Sequence, residues 1–212
     1  MRYLIDHPDR VLTLTVEHLK IVLISVLVAM LIGIPAGILV TRLRWLEGPV
    51  NNTTGVLYTV PSLALFAILI PFTGLGSSTA IIALVLYSLL AIVRNTVAGL
   101  DAVSPATLDA ARGMGMTSTQ RLLLVELPLA LPIILAGVRV ATVAAIGIAT
   151  VAVLVGAGGL GHLIFDGIRT LDGDRIVAGA LTTSLLALAA DWGLTRLGEV
   201  LRRDVGPVGG KG

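Results

Sequence analysis

The stretch DAARGMGMTSTQRLLLVELP, residues 109–128, decides how this chain is organised. It begins as a polar segment, and runs that are apolar enough to cross a bilayer lie on both sides of it. Its spacing reads acidic-Ala-Ala-x3-Gly-x9-aliphatic-x-Leu-Pro, carried by Asp109, Ala110, Ala111, Gly115, Val125, Leu127 and Pro128. In a membrane protein, a segment of this kind offers a soluble partner a place to bind from the water side.

The composition indicates an integral membrane protein. Of the 212 residues, 56% are hydrophobic and 13% are charged, whereas soluble domains carry about 25% charged residues. The absence of cysteine excludes disulfides, thiolate metal sites and cysteine nucleophiles. No cleavable signal peptide is expected, because Asp6, Asp9 and Glu17 precede an apolar run that is too long for one.

Five apolar runs approach the length that a helix needs to cross the ~30 Å hydrocarbon core at about 1.5 Å per residue. The predicted spans are residues 21–40, 55–70, 79–100, 133–155 and 176–194. We therefore predict an all-α, polytopic membrane fold. Residues 1–20 are expected to form an external interfacial segment, and residues 204–212 a disordered cytoplasmic tail.

The distribution of Lys and Arg predicts the orientation in the membrane. Five spans place the termini on opposite sides of the bilayer. The side that includes residues 101–132 and the C-terminal tail holds ten of the 15 cations, which leaves five for the other side. Because cytoplasmic loops collect Lys and Arg, the N-terminus is predicted outside and residues 101–132 in the cytoplasm, in the inner (plasma) membrane of a bacterial or archaeal cell.

Residues 104–127, here called the docking segment, carry signals for two short helices. Ser104 followed by Pro105 predicts a helix start, with Ser as the N-cap. Thr117 with Gln120 three residues later predicts a capping box and a second helix over residues 118–127. The alternative interpretation is an ordinary cytoplasmic loop that packs on its own helices.

The spacing of residues 109–128 resembles the "EAA" signature of permease subunits of type I ABC importers. Asp109 stands where that family usually has Glu, and Val125 where it usually has Ile. Further stretches are similar to the osmoprotectant branch, which takes up glycine betaine, choline and carnitine. They are TVPSLAL (59–65), AIIALVLY (80–87), RNT (94–96) and GAGGLG (156–161), so the resemblance extends over residues 19–203.

The resemblance implies that the docking segment is a coupling helix that inserts into a cleft of a cytoplasmic ATPase. The residues carried over to that role are Asp109, Ala110, Ala111, Gly113, Met114, Gly115, Met116, Leu127 and Pro128. It also implies a second permease chain, identical or paralogous, and an extracytoplasmic substrate-binding protein that delivers the solute to outer loops around residues 72–78 and 156–175. The lipid bilayer is the remaining partner; no nucleic-acid partner is indicated.

The chain itself is expected to bind no cofactor or metal and to have no catalytic residues. Its only lysines, Lys20 and Lys211, do not belong to a Walker A motif, so ATP and Mg²⁺ are expected on the separate ATPase. Residues 156–161 match a dinucleotide-binding fingerprint by letter, but they follow a predicted transmembrane helix and not a strand, so a structural glycine turn is the better interpretation.

A few polar or helix-disturbing groups within the spans are candidates for lining a solute pathway: Tyr58, Pro61, Ser62, Tyr87 and Asn95. Arg139 and Asp191 also lie in or near spans, where mutual pairing is a better interpretation than contact with the solute. Only 4% of the residues are aromatic, which leaves little material for a cage around a quaternary ammonium group. Tight recognition is therefore expected of the external binding protein.

Several alternatives stay open at this point. The solute could be another small molecule, such as an amino acid or a methionine-like compound. A secondary transporter or a non-transporting scaffold would share the composition. A membrane-embedded enzyme is disfavoured, because no acid–base or nucleophile pair occurs at helical spacing within the spans.

Overall fold

The computed structural model describes residues 2–204, and all regular elements within that range are helices. They are α1 (Arg2–Asp6), α2 (Pro8–Arg42), α3 (Glu47–Thr59), α4 (Ser62–Thr73), α5 (Ser77–Asp101), α6 (Pro105–Gly113), α7 (Ser118–Arg121), α8 (Leu127–Ala149), α9 (Gly161–Thr170) and α10 (Gly173–Asp204). Three short helical turns connect them: 3₁₀ turns over Arg44–Leu46 and Val151–Val155, and a π-helical turn over Leu122–Glu126. In the described range, four helices are long and apolar enough to cross a membrane.

The first long helix, α2, starts much earlier than the predicted span at residues 21–40. It runs through 35 residues from Pro8, so most of the expected interfacial segment belongs to the same helix. The reason is that no Gly or Pro interrupts the chain between Pro8 and Gly33, and that Leu14 and His18 are buried against the rest of the protein. Only α1 is a separate N-terminal helix.

The second predicted span, residues 55–70, is not one helix. The chain breaks at Val60 and Pro61, and α4 begins immediately afterwards with Pro61 as its N-cap residue. Proline lacks the backbone N–H that would continue the α3 hydrogen-bond ladder. The 12 residues of α4 are apolar but span only about 18 Å, which is less than a full crossing.

The third predicted span coincides with α5, whereas the fourth begins and ends earlier than expected. Helical structure is continuous from Ser118 to Ala149, so the expected second docking helix and the span are one element. The π-helical turn accounts for this continuity. Leu127 N–H bonds to the Leu122 carbonyl, five residues back, and this widened turn accommodates Pro128, whose ring would clash with a carbonyl in a regular α-helix.

The last helix, α10, has 32 residues and extends the predicted span at residues 176–194 in both directions. Asp191 does not end it, because that carboxylate is paired with Arg139 of α8. Of the predicted tail, Asp204 is the final residue of α10, and residues 205–212 lie outside the described range.

The core is formed by α2, α5 and α8, with α5 in the middle, and α10 covers the far side of α8. Small residues allow the backbones to approach closely. A Cβ added at Gly37 of α2 would lie 2.6 Å from Thr96 Cβ, and one at Gly137 of α8 would lie 2.5 Å from Asn95 Cβ. Close approach through small residues is the usual way in which membrane helices associate.

Two sets of contacts mark opposite ends of this bundle. At the ion-pair end, Arg42 and Arg44 reach Glu126 and Asp101. At the glycine-rich end (residues 156–161), Glu17 and His18 of α2 contact the chain around Gly159 and Ile146.

Replacing Gly137 with Ala is expected to lower the stability of the bundle by about 1–3 kcal/mol, because overpacking a tight contact forces the helices apart. Gly147 on the same helix is the matched control, since it is exposed and nothing lies within 4 Å of an added Cβ. Gly147→Ala should leave stability unchanged or raise it. Thermal unfolding of the purified protein in detergent checks both, and equal melting temperatures for the two variants would contradict the packing described.

Candidate functional site: the docking segment and the ion-pair end

The docking segment folds as its capping residues predict. Ser104 precedes α6, and its hydroxyl accepts a hydrogen bond from Thr107 N at 3.2 Å. Thr117 and Gln120 form the reciprocal capping box, with Thr117 N donating to Gln120 Oε1 at 2.9 Å and Gln120 N donating to Thr117 Oγ1 at 3.3 Å. Both caps are therefore confirmed.

Between the two caps, Gly115 allows the chain to reverse direction. Its φ of +78° lies in the left-handed region that favours glycine, and nothing lies within 4 Å of an added Cβ. The carbonyls that end α6 are satisfied from this turn, since Gly115 N donates to Arg112 and Met116 N donates to Ala111. The result is a projecting elbow between α6 and α7.

The elbow exposes most of the predicted docking residues. Met114 is 70% exposed, and Asp109, Ala110, Gly113 and Gly115 are also exposed, while Met116, Leu127 and Pro128 are half-buried. Ala111 is different: it is only 1% exposed, so it packs inside this chain and offers no surface to a partner. The two neighbouring alanines differ in exposure because successive residues on a helix point in directions about 100° apart.

Glu126 is the residue of this region that the sequence interpretation missed. It lies in the π-helical turn, and its side chain is 6% exposed. One carboxylate oxygen accepts from Arg42 at the end of α2 at 2.6 Å, and the other accepts from Arg121 of α7 at 2.8 Å. A signal was present, because Glu126 is the lone charge in the apolar run LLLVELP, five residues after Arg121.

A second ion pair lies beside the first. Arg44 donates two hydrogen bonds to Asp101, the last residue of α5, at 2.6 and 3.0 Å. Hydrogen bonding to Asp101, together with its charge, raises the pKa of Arg44 above its ordinary value, so the guanidinium stays protonated. Together, Arg42, the last residue of α2, and Arg44, two residues later, connect the ends of α2, α5 and α8.

Arg139 and Asp191 pair with each other, as the sequence predicts. Arg139 Nε and Nη2 lie 2.5 and 2.7 Å from the two oxygens of Asp191, in a two-pronged contact between α8 and α10. This geometry compensates both charges within the spans. The pair therefore explains why neither residue ends its helix.

The pathway candidates divide into two groups. The ring centroids of Tyr58 and Tyr87 are 6.1 Å apart at the break between α3 and α4, next to Pro61 and Ser62. The Tyr87 hydroxyl donates to the carbonyl of Val60, which the break leaves without its helical partner. Asn95 lies about 12 Å further along α5 and packs against α8, so it does not join this group.

The glycine-rich end brings together the two loops that were predicted to face a binding protein. Gly76 N donates to Val155 O at 2.7 Å, and Ser77 Oγ donates to Ala157 O at 3.3 Å. Gly159 N donates to Glu17 of α2 at 3.1 Å. An open cavity of about 500 Å³ lies among these elements, lined by Glu17, Lys20, Ile21, Ile24, Ser77, Ile81, Gly156, Ala157, Gly158 and His162.

Comparison with known proteins identifies the family. Residues 29–203 match the family described as "Binding-protein-dependent transport system inner membrane component". The chain belongs to this family. It is a permease subunit of an ABC importer in the inner membrane, and the ATPase is a separate subunit.

Relatives extend over nearly the full length of the permease. It is 45% identical over 206 residues to the osmoprotectant import permease protein OsmW of Salmonella typhimurium, covering 95% of this chain and 96% of the relative. It is 40% identical over 212 residues to the glycine betaine/carnitine/choline transport system permease protein OpuCB of Bacillus subtilis, covering 100% and 96%. The resemblance to importer permeases of the osmoprotectant branch is therefore confirmed.

A solved structure confirms the fold of the permease. An inward-facing structure of the MetNI methionine ABC transporter superposes with a TM-score of 0.82, covering 90% of this chain and 95% of that chain at 23% identity. The all-α, type I importer fold predicted from the sequence is thus confirmed.

Replacing Tyr87 with Phe is expected to destabilise the permease by about 1 kcal/mol, because the Val60 carbonyl loses its hydrogen bond where α3 ends. Tyr58→Phe is the matched control, since the Tyr58 hydroxyl bonds to no residue in the described part of the chain. Thermal unfolding measures the difference. Equal melting temperatures for the two variants would show that the Tyr87 hydroxyl does not stabilise the break between α3 and α4.

Proposed function

We propose that this permease forms the translocation pathway for a compatible solute such as glycine betaine, choline, carnitine or proline. The observation that carries the proposal is the 45% identity, over 95% of the chain, to a permease named for osmoprotectant import. A methionine-like or amino-acid substrate is the second candidate. It has less support, because the methionine transporter is only 23% identical and shares the fold alone.

The docking segment is the proposed contact with the cytoplasmic ATPase, which binds ATP and Mg²⁺. Its support is the projecting elbow, where apolar Met114 is 70% exposed beside the small residues Gly113 and Gly115. Methionine is a pliable apolar contact that suits a groove in a partner. Asp109 pairs with Arg112 of its own helix at 2.7 Å, so we assign these two charges to the rim of the contact.

The two ends of the bundle support a proposal for the orientation and for the other partners. With the docking segment in the cytoplasm, the glycine-rich end faces the outside, where a substrate-binding protein delivers the solute to the joined loops around residues 72–78 and 156–175. A second permease chain, identical or paralogous, completes the pathway. Closure of the ATPases on ATP moves both docking segments, and the helices then alternate between inward-open and outward-open states.

The substrate proposal predicts which solutes cells take up. A strain that lacks its own osmoprotectant importers should accumulate radiolabelled glycine betaine or choline when it expresses this permease with its ATPase and binding protein. A large excess of unlabelled methionine or histidine should leave that uptake unchanged. Uptake of methionine instead, without uptake of any quaternary ammonium compound, would establish the second candidate.

The docking proposal predicts the effect of a charge on the elbow. Met114→Glu should reduce the amount of ATPase subunit that co-purifies by about ten-fold or more, since a factor of ten requires only about 1.4 kcal/mol and a charge would be placed in an apolar contact. Gly48→Glu is the control, because Gly48 is equally exposed at the ion-pair end of the bundle but lies outside the docking segment. Undiminished ATPase recovery with Met114→Glu would refute docking at the elbow.

A further inference from the structure

Glu126 lies where three helices meet at the ion-pair end. It is the last residue of the π-helical turn that follows α7, it directly precedes α8, and it contacts the end of α2 through Arg42. Its side chain is 6% exposed, and the Arg121 side chain is 14% exposed, so this contact is shielded from water. Shielding strengthens charge-assisted hydrogen bonds and makes an unpaired charge costly.

One carboxylate holds both guanidinium groups. Each oxygen of Glu126 accepts from a different arginine, at 2.6 Å from Arg42 and 2.8 Å from Arg121. Without the negative charge, the two cations would face each other across the width of a carboxyl group and would repel. The position of Arg121 relative to Arg42 therefore depends on Glu126 lying between them.

The docking segment has two connections to the membrane helices. The covalent connection runs into α8 through the π-helical turn, a widened type of turn that is rarely stable over longer stretches. The second connection runs sideways through Arg121, Glu126 and Arg42 into α2. This helix has 35 residues, about 52 Å, and its N-terminal half contacts the glycine-rich end, where Glu17 accepts from Gly159.

We propose that Glu126 is the positioning residue that carries a displacement of the docking segment into α2, and through α2 to the glycine-rich end. The inference rests on the proposed docking of the ATPase at residues 104–127. In this arrangement α8 and α2 move together when the ATPases close, so ATP hydrolysis and opening of the outer end stay in step. Glu126 touches neither solute nor nucleotide; it acts through the two arginines.

The decisive variant is Glu126→Gln, which keeps the size of the side chain and removes its charge. The complete importer, with its ATPase and binding protein, is reconstituted in proteoliposomes, and ATP hydrolysed per solute imported is measured. The Glu126 side chain is buried and offers no surface to the ATPase, so the ATPase subunit should co-purify as in the wild type. The ATP-to-solute ratio should rise about five-fold or more, the lower range of typical coupling between sites. Arg44→Gln is the matched control, because Arg44 pairs with Asp101 and makes no contact with the docking segment.

The outcomes separate this inference from the docking proposal. An intact Glu126→Gln complex with an unchanged ATP-to-solute ratio, or an equal rise in Arg44→Gln, would overturn the role of Glu126 while docking stands. Failure of the docking proposal would be seen in a different experiment, as undiminished recovery of the ATPase with the Met114→Glu variant. If the importer with Glu126→Gln does not assemble, the ATP-to-solute ratio is measured on Arg42→Gln, because this variant leaves the Glu126–Arg121 pair intact. A raised ratio in that variant supports transmission into α2, and an unchanged ratio refutes it.

Discussion

Close contact between α5 and its two neighbours is the constraint on which the rest of this permease depends. Lipid chains are as apolar as the helix surfaces, so burial alone does not drive these helices together, and packing at short range has to do so. Gly37 meets Thr96 on one side of α5 and Gly137 meets Asn95 on the other. These contacts fix the register of the three helices, and this register brings Arg42, Asp101 and Glu126 to the same end of the bundle. The polar contacts at both ends are possible only because the apolar middle is aligned.

The charged residues of the chain have different partners at different positions along the helices. Within the spans, Arg139 and Asp191 compensate each other's charge. At the ion-pair end the arginines join the ends of α2, α5 and α8 beside an apolar cluster that includes Ile38, Leu100 and Leu127. The elbow beyond them is exposed and carries its own paired charges, Asp109 and Arg112.

Local signals in the sequence were sufficient for some features and insufficient for others. The caps at Ser104 and Thr117 depend on residues three positions apart, so they could be predicted without a fold. The all-α class followed from hydropathy, and the family followed from the resemblance of residues 109–128 to its signature. The burial of Ala111 could not be read from the sequence, and the pairing of Glu126 with Arg42 joins residues 84 positions apart, which no local pattern encodes. Helices extend beyond the predicted spans where tertiary contacts continue them, as in α2 and α10, and Pro61 divides an apolar run.

The π-helical turn at Leu122–Glu126 has a consequence for how the docking segment can change in evolution. A π turn accommodates one residue more than an α turn within the same full rotation about the helix axis. Loss of a single residue there would restore a regular helix with little change in the direction of the elbow, but the ring of Pro128 would then meet a carbonyl of the preceding turn. The turn therefore allows the docking segment to continue into α8 across a proline. Substitutions can change the proposed contact with the ATPase gradually, whereas a deletion in this turn would disturb that continuity in one step.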